Sequence, residues 1–183
     1  MAEDLRLKRT VALIGLMGAG KTAVGRVLAS RLGVAFVDSD DAIEEAAGMP
    51  IADIFDSFGE DYFRKREAEV IARLLGGVPV VLSTGGGAWL TPSTRDRVAR
   101  GATALWLDAP VDLLWERVRH RDSRPLLRVP DPRGTLERLH AQRAPVYALA
   151  PHRLRVREQD DIGATADRVI ETLTRAANVL EVA

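Results

Sequence analysis

Residues 15–22 read GLMGAGKT, set between the apolar run TVALI and the amphipathic stretch AVGRVLASRL. The octet meets the pattern G-x-x-x-x-G-K-[ST] through Gly15, Gly20, Lys21 and Thr22. Its surroundings constrain the fold more than any other feature. Thr10 to Leu16 is a continuous apolar run that ends at a glycine, as a buried parallel strand does. Val24, Val27, Leu28 and Leu32 follow at helical spacing. A strand, a glycine loop and a helix in that order build an anion site. Backbone N–H groups of Gly18, Ala19, Gly20, Lys21, Thr22 and Ala23 can turn inward at the positive end of the helix. Lys21 adds a point charge for the β- and γ-phosphates, and the Thr22 hydroxyl can ligate Mg²⁺. A plain glycine-rich turn is the alternative, and the flanking strand and helix argue against it.

Strands and helices alternate along the remainder. Strands are expected at Val34–Val37, Val78–Leu82, Thr103–Leu107 and, more briefly, Arg153–Val156. Helices are expected at Asp40–Ala47, Tyr62–Leu75, Val111 to about His120, Thr135–Tyr147 and Ala164–Leu180. The stretch 122–134, DSRPLLRVPDPRG, holds three prolines and a glycine and reads as a loop. Five strands alternating with helices argue for an α/β/α three-layer fold: one parallel sheet covered on both faces.

Bulk properties narrow the classes of partner. A chain of 183 residues fits a single domain, 1–183. Lys+Arg and Asp+Glu both number 26, so no global charge points to nucleic acid or a membrane surface. There is no cysteine, which excludes disulfides and thiolate metal sites. The N-terminus carries acids rather than a leader pattern, and Val11–Gly20 is too short to span a bilayer. A soluble, cytoplasmic protein is expected, and a monomer, since no long apolar helix stays unassigned. His120, His140 and His152 have no metal spacing and are expected at the surface.

The phosphate loop alone leaves several nucleotide-binding classes. A GTPase needs N-K-x-D, which is absent, and a large ATPase motor needs more chain. A short chain with a late loop of prolines and arginines suggests a small-molecule kinase with a lid. After GLMGAGKT come FVDSD, FRKRE, STGGGA, RPLL and QRAPVY, in that order. Together they resemble the shikimate kinases, and the resemblance covers nearly the whole chain. It implies transfer of the γ-phosphate of ATP to the 3-hydroxyl of shikimate with Mg²⁺. It also implies a P-loop kinase fold whose five-stranded parallel sheet has the order 2-3-1-4-5, with a lid at 122–134.

Asp38 and Asp40 lie two apart at a strand end, where they can share one face. One could hold a water of Mg²⁺ and the other a substrate hydroxyl; Asp40 or Ser39 could instead cap the next helix. The resemblance assigns Asp38 to the metal side, with a part in drawing off the hydroxyl proton, and Asp40 to the substrate. It assigns Arg64 and Arg143 to the shikimate carboxylate, a role that suits the planar guanidinium fork. Arg64 and Glu67 form an i,i+3 pair, which could orient that fork or merely decorate the helix. Gly85, Gly86 and Gly87 would open room for the ring and offer bare N–H groups. Arg124, in RPLL, would reach the transferring phosphate, and Arg117 would stack on adenine. The strand-end position where many P-loop proteins carry an aspartate is Ser83 or Thr84 here.

The chain departs from the family at REQDDIG, where Gln159, Asp160 and Asp161 replace a basic residue near the adenine. Backbone or Gln159 would then serve the base. Two other readings compete. A gluconate kinase would also need arginines for a carboxylate, but GGGA and RPLL favour shikimate. A non-catalytic ATP-binding module would be marked by loss of Lys21, Thr22, Asp38 or Arg124, and all four are present.

Overall fold

A computed structural model describes residues 5–120 and 127–182. The central sheet has five parallel strands: β2 (Thr10–Ile14), β3 (Phe36–Asp38), β4 (Val81–Ser83), β5 (Ala102–Asp108) and β6 (His152–Arg155). Their order is β3-β4-β2-β5-β6, which is 2-3-1-4-5 when the sheet strands are counted in chain order. The central strand β2 pairs with β4 on one side and with β5 on the other. Every residue of β2 and β5 is buried, as a strand covered on both faces requires.

Helices α1 (Lys21–Arg31), α2 (Ser39–Ala47), α3 (Ile51–Leu75), α4 (Pro92–Gly101), α5 (Val111–Val118), α6 (Pro132–Tyr147) and α7 (Ile162–Thr174) cover the sheet, with a 3₁₀ turn at Ala88–Leu90. The main core gathers Leu13, Ile14, Leu28, Leu82, Leu105 and Leu173 around β2. A second cluster, Ile43, Ile54, Phe63 and Val70, packs α2 against α3 beside the sheet.

Several elements differ from the sequence expectations: β4 starts at Val81 rather than Val78, α7 at Ile162 rather than Ala164, and others differ for local reasons. Helix α3 begins at Ile51 rather than Tyr62, because Glu44 Oε1 accepts the Ile51 N–H at 2.8 Å and satisfies its first turn. It bends at Gly59, whose φ of 79° suits only glycine. Residues 132–134 belong to α6, not to the preceding loop. Asp131 caps that helix through the Gly134 N–H at 2.9 Å, and Pro132 fills its first turn. The Asp-Pro-Arg-Gly run that reads as a turn is therefore also a helix start. Helix α4, not foreseen, also has a proline in its first turn, Pro92 after Thr91, but without a side-chain cap.

Helix α7 stops at Thr174, short of the expected Leu180. Asn178 takes a positive φ of 61° and the chain turns back. Leu180–Val182 then forms β7, antiparallel to β1 (Leu5–Leu7), with Lys8 and Glu181 paired at 3.3 Å. Leu5–Leu7, which carry no sequence signal of their own, thus find their partner in Leu180–Val182.

Candidate active site

The phosphate loop joins β2 to α1 with Gly15, Gly18 and Gly20 at φ 142°, 83° and 99°. A Cβ on Gly18 would lie 2.8 Å from Val118 Cγ1, so only glycine lets α5 pack this closely. Lys21 Nζ donates to Gly15 O at 2.8 Å and Leu16 O at 3.2 Å, which holds its ammonium over the loop. Arg117 on α5 donates to Gly18 O at 3.1 Å, against the same loop. Ala19 is buried, while Thr22 and Ala23 face outward at the start of α1.

Asp38 ends β3 and serves two groups at once. Its Oδ1 accepts the Asp40 N–H at 3.0 Å and so caps α2; its Oδ2 accepts from Thr22 Oγ1 at 3.1 Å. The helix cap is therefore Asp38, not Ser39 or Asp40. A hydroxyl beside a carboxylate is an all-oxygen donor pair, the kind that suits Mg²⁺ completed by phosphate and water. Among the described residues no group of three or more His, Asp or Glu side chains is placed to hold a metal ion by itself.

The three glycines after β4 each face a different charged side chain. A Cβ on Gly85 would lie 2.7 Å from Asp40 Oδ1; on Gly86, 3.5 Å from Arg143 Nη1; on Gly87, 2.5 Å from Arg64 Nη2. Gly86 also lies near Gly15, with the Gly15 carbonyl 3.7 Å from that Cβ position. The glycine turn is thus the floor on which Asp40, Arg64 and Arg143 converge, next to the phosphate loop. It is anchored by the Gly85 N–H, which donates to the buried Ser39 Oγ at 3.0 Å. Thr84 Oγ1 donates to Leu13 O at 3.1 Å, so the strand-end position where an aspartate is common ties β4 to β2 instead.

Two side chains stand behind this floor, and of these the sequence raised only Glu67, as a possible orienter of Arg64. Glu67 is 1% exposed, and its Oε2 accepts from Arg64 Nη1 at 2.8 Å, so the i,i+3 pair orients the guanidinium. Glu67 Oε1 has no hydrogen-bond partner among the described residues and lies 3.4 Å from the Gly85 Cβ position. Burial pushes the Glu67 carboxyl above the usual range, the bond to Arg64 opposes it, and the nearby Asp40 charge adds to the rise. Tyr147 is buried and donates its hydroxyl to Gly86 O at 2.6 Å. Only the i,i+3 spacing and the aromatic closing QRAPVY pointed toward either.

Arg124 and residues 122–126 of the expected lid lie outside the described residues. On the far side, Asp160 pairs with Arg168 at 2.6 Å and Asp161 caps α7 through Ala164 N–H at 2.6 Å, while Gln159 is exposed. The two acids that depart from the family pattern are thus engaged with α7. His120 is exposed as expected, but His140 and His152 are half-buried, and burial lowers the His152 pKa. Among the described residues no helix is long and apolar enough to cross a membrane.

Comparison with known proteins bears on this geometry. Residues 17–174 match the family model described as shikimate kinase. A shikimate kinase of Ruegeria pomeroyi is 51% identical over 96% of this chain and 90% of its own length. One of Cereibacter sphaeroides is 50% identical over 96% and 88%. Among solved structures, a shikimate kinase of Acinetobacter baumannii in complex with shikimate superposes with a TM-score of 0.86. It is 35% identical, over 92% of this chain and 94% of that one.

Proposed function

The chain belongs to the shikimate kinase family and is an ATP-dependent phosphotransferase, and from that premise we propose how its residues carry the reaction. The γ-phosphate of ATP passes to the 3-hydroxyl of shikimate, giving shikimate 3-phosphate and ADP. The observation that carries the reading is the glycine turn 85–87, which meets a carboxylate acceptor, two guanidinium groups and the phosphate loop within a few ångströms.

Loop N–H groups from Gly18 to Ala23 cradle the phosphates, and Lys21 leaves its loop carbonyls to neutralise the β- and γ-oxygens. Arg117, donating to Gly18 O in the loop, would stack on the adenine. Thr22 and Asp38 would hold Mg²⁺, which would supply positive charge to offset that of the phosphates. Arg64 and Arg143 grip the carboxylate of shikimate with N–H forks, while Asp40 accepts from a ring hydroxyl. Fixed at both ends, the acid can present its 3-hydroxyl in line with the γ-phosphate, and positioning supplies most of the rate. Asp38 Oδ2, at the meeting point of metal and acid sites, is the acceptor for the hydroxyl proton. Arg124 completes the charge on the transferring group from the lid. The enzyme is expected to act as a monomer in the cytoplasm.

A coupled ADP-release assay tests the assignment. Release should depend on shikimate and Mg²⁺ and should be negligible with gluconate in its place. Faster release with gluconate overturns the reading.

A further inference from the structure

We propose that Tyr147 is a positioning residue for the acid clamp: its hydroxyl satisfies the Gly86 carbonyl and so leaves the Arg143 guanidinium available to the substrate carboxylate. The inference rests on the shikimate reading above and adds a residue to it.

Two donors approach Gly86 O. Tyr147 Oη lies at 2.6 Å, and Arg143 Nη1 at 3.5 Å, the outer limit of a hydrogen bond. Tyr147 is 2% exposed, and its ring packs near Trp106 with centroids 6.0 Å apart, so its hydroxyl has little freedom to turn elsewhere. Burial raises the phenol pKa while the Arg143 charge and a side-chain hydrogen bond with Arg143 oppose it, so the hydroxyl stays protonated at neutral pH and also steadies the guanidinium beside Gly86 O. Gly86 is half-buried, and a carbonyl partly withdrawn from water that loses its donor recruits the nearest one. Without the phenol oxygen that donor is Arg143 Nη1, which would close to about 3 Å. An N–H turned onto Gly86 O is withdrawn from the bidentate fork that a carboxylate needs. A second tie, Trp89 Nε1 to Val146 O at 2.9 Å, holds the same helix end without touching Gly86.

The test is Tyr147→Phe, which removes one oxygen and keeps the ring. Its KM for shikimate should rise roughly fivefold to tenfold, as loss of one N–H from a charged pair would give. Its kcat at saturating shikimate and its KM for ATP should stay within about twofold of the wild type. In an Arg143→Ala background the same change should add no further rise, because the two act through one contact. Trp89→Phe is the control for a loosened helix end, and it should lower the melting temperature without a selective rise in shikimate KM. Unchanged shikimate KM in Tyr147→Phe, additivity with Arg143→Ala, or an equal rise in Trp89→Phe overturns the proposal. So does loss of the fold in Tyr147→Phe, which would make the hydroxyl a stability contact. Failure of the shikimate reading itself would appear separately, as wild-type enzyme that does not turn over shikimate.

Discussion

Arg64 Nη1 donates to Glu67 Oε2 at 2.8 Å, one turn along α3, from a guanidinium that is partly open to a carboxylate that is buried. The pair gives the acid site a fixed cation. It also leaves a carboxyl whose proton affinity burial has raised, against the pull of Arg64. The folded protein therefore holds this proton more tightly than the unfolded chain. Stability from the group is fully present below the ordinary glutamate value and is lost as pH rises through the raised one. Glu67→Gln removes that titration. The wild type should lose melting temperature relative to Glu67→Gln as pH is taken from about 4 to 7. Thermal unfolding of both proteins across that range checks it, and a wild type that gains relative to the variant contradicts it.

Asp38 caps α2 with one oxygen and meets Thr22 with the other. Asparagine keeps the cap and loses the charge, whereas alanine loses both. Both variants should lose turnover. Only Asp38→Ala should also lose about 1 kcal/mol of stability, seen as a fall in Tm of roughly 2–4 °C. Equal melting points for the two would sink the dual role.

Lys21→Met removes a charge from a half-buried site above the loop, where Nζ donates to two backbone carbonyls. The fold should survive, with kcat reduced on the order of 100-fold or more. Near-native turnover would refute the phosphate-loop assignment.

A methyl group at Gly87 would lie 2.5 Å from Arg64 Nη2, and one at Gly25 would lie 2.6 Å from a Phe36 ring carbon in the core. Gly87→Ala should push the guanidinium aside and weaken shikimate binding by roughly tenfold or more, with ATP binding kept. Gly25→Ala should instead lower stability and leave the ratio of the two affinities unchanged. Equilibrium titrations with shikimate and an ATP analogue distinguish the two patterns, and the same pattern in both variants would contradict the idea that the glycine turn is shaped for the acid.

Much of this was legible in the chain. TVALI–GLMGAGKT carries its own strand, loop and helix, and the parallel sheet follows from the alternation of apolar runs. The strand order and the acid-site arginines came through resemblance, because pairing across the sheet and the meeting of Arg64 with Arg143 are set by contacts far apart in sequence. For the same reason the β1–β7 pair was invisible: Leu5–Leu7 has no pattern until Leu180–Val182 lies beside it. Tyr147 escaped notice because a closing aromatic on a helix is ordinarily core, and only the fold brings its hydroxyl to Gly86. Asp131-Pro132 was ambiguous in itself, since a turn and a capped helix begin with the same residues.

The most direct test of the site is calorimetric titration of Arg64→Ala with shikimate and, separately, with an ATP analogue. Losing one fork of a paired carboxylate should cost roughly 2–5 kcal/mol in shikimate binding and leave the nucleotide affinity at the wild-type value. Shikimate binding as tight as that of the wild type would contradict the account, because the acid would then sit somewhere other than on the glycine turn between Arg64 and Arg143.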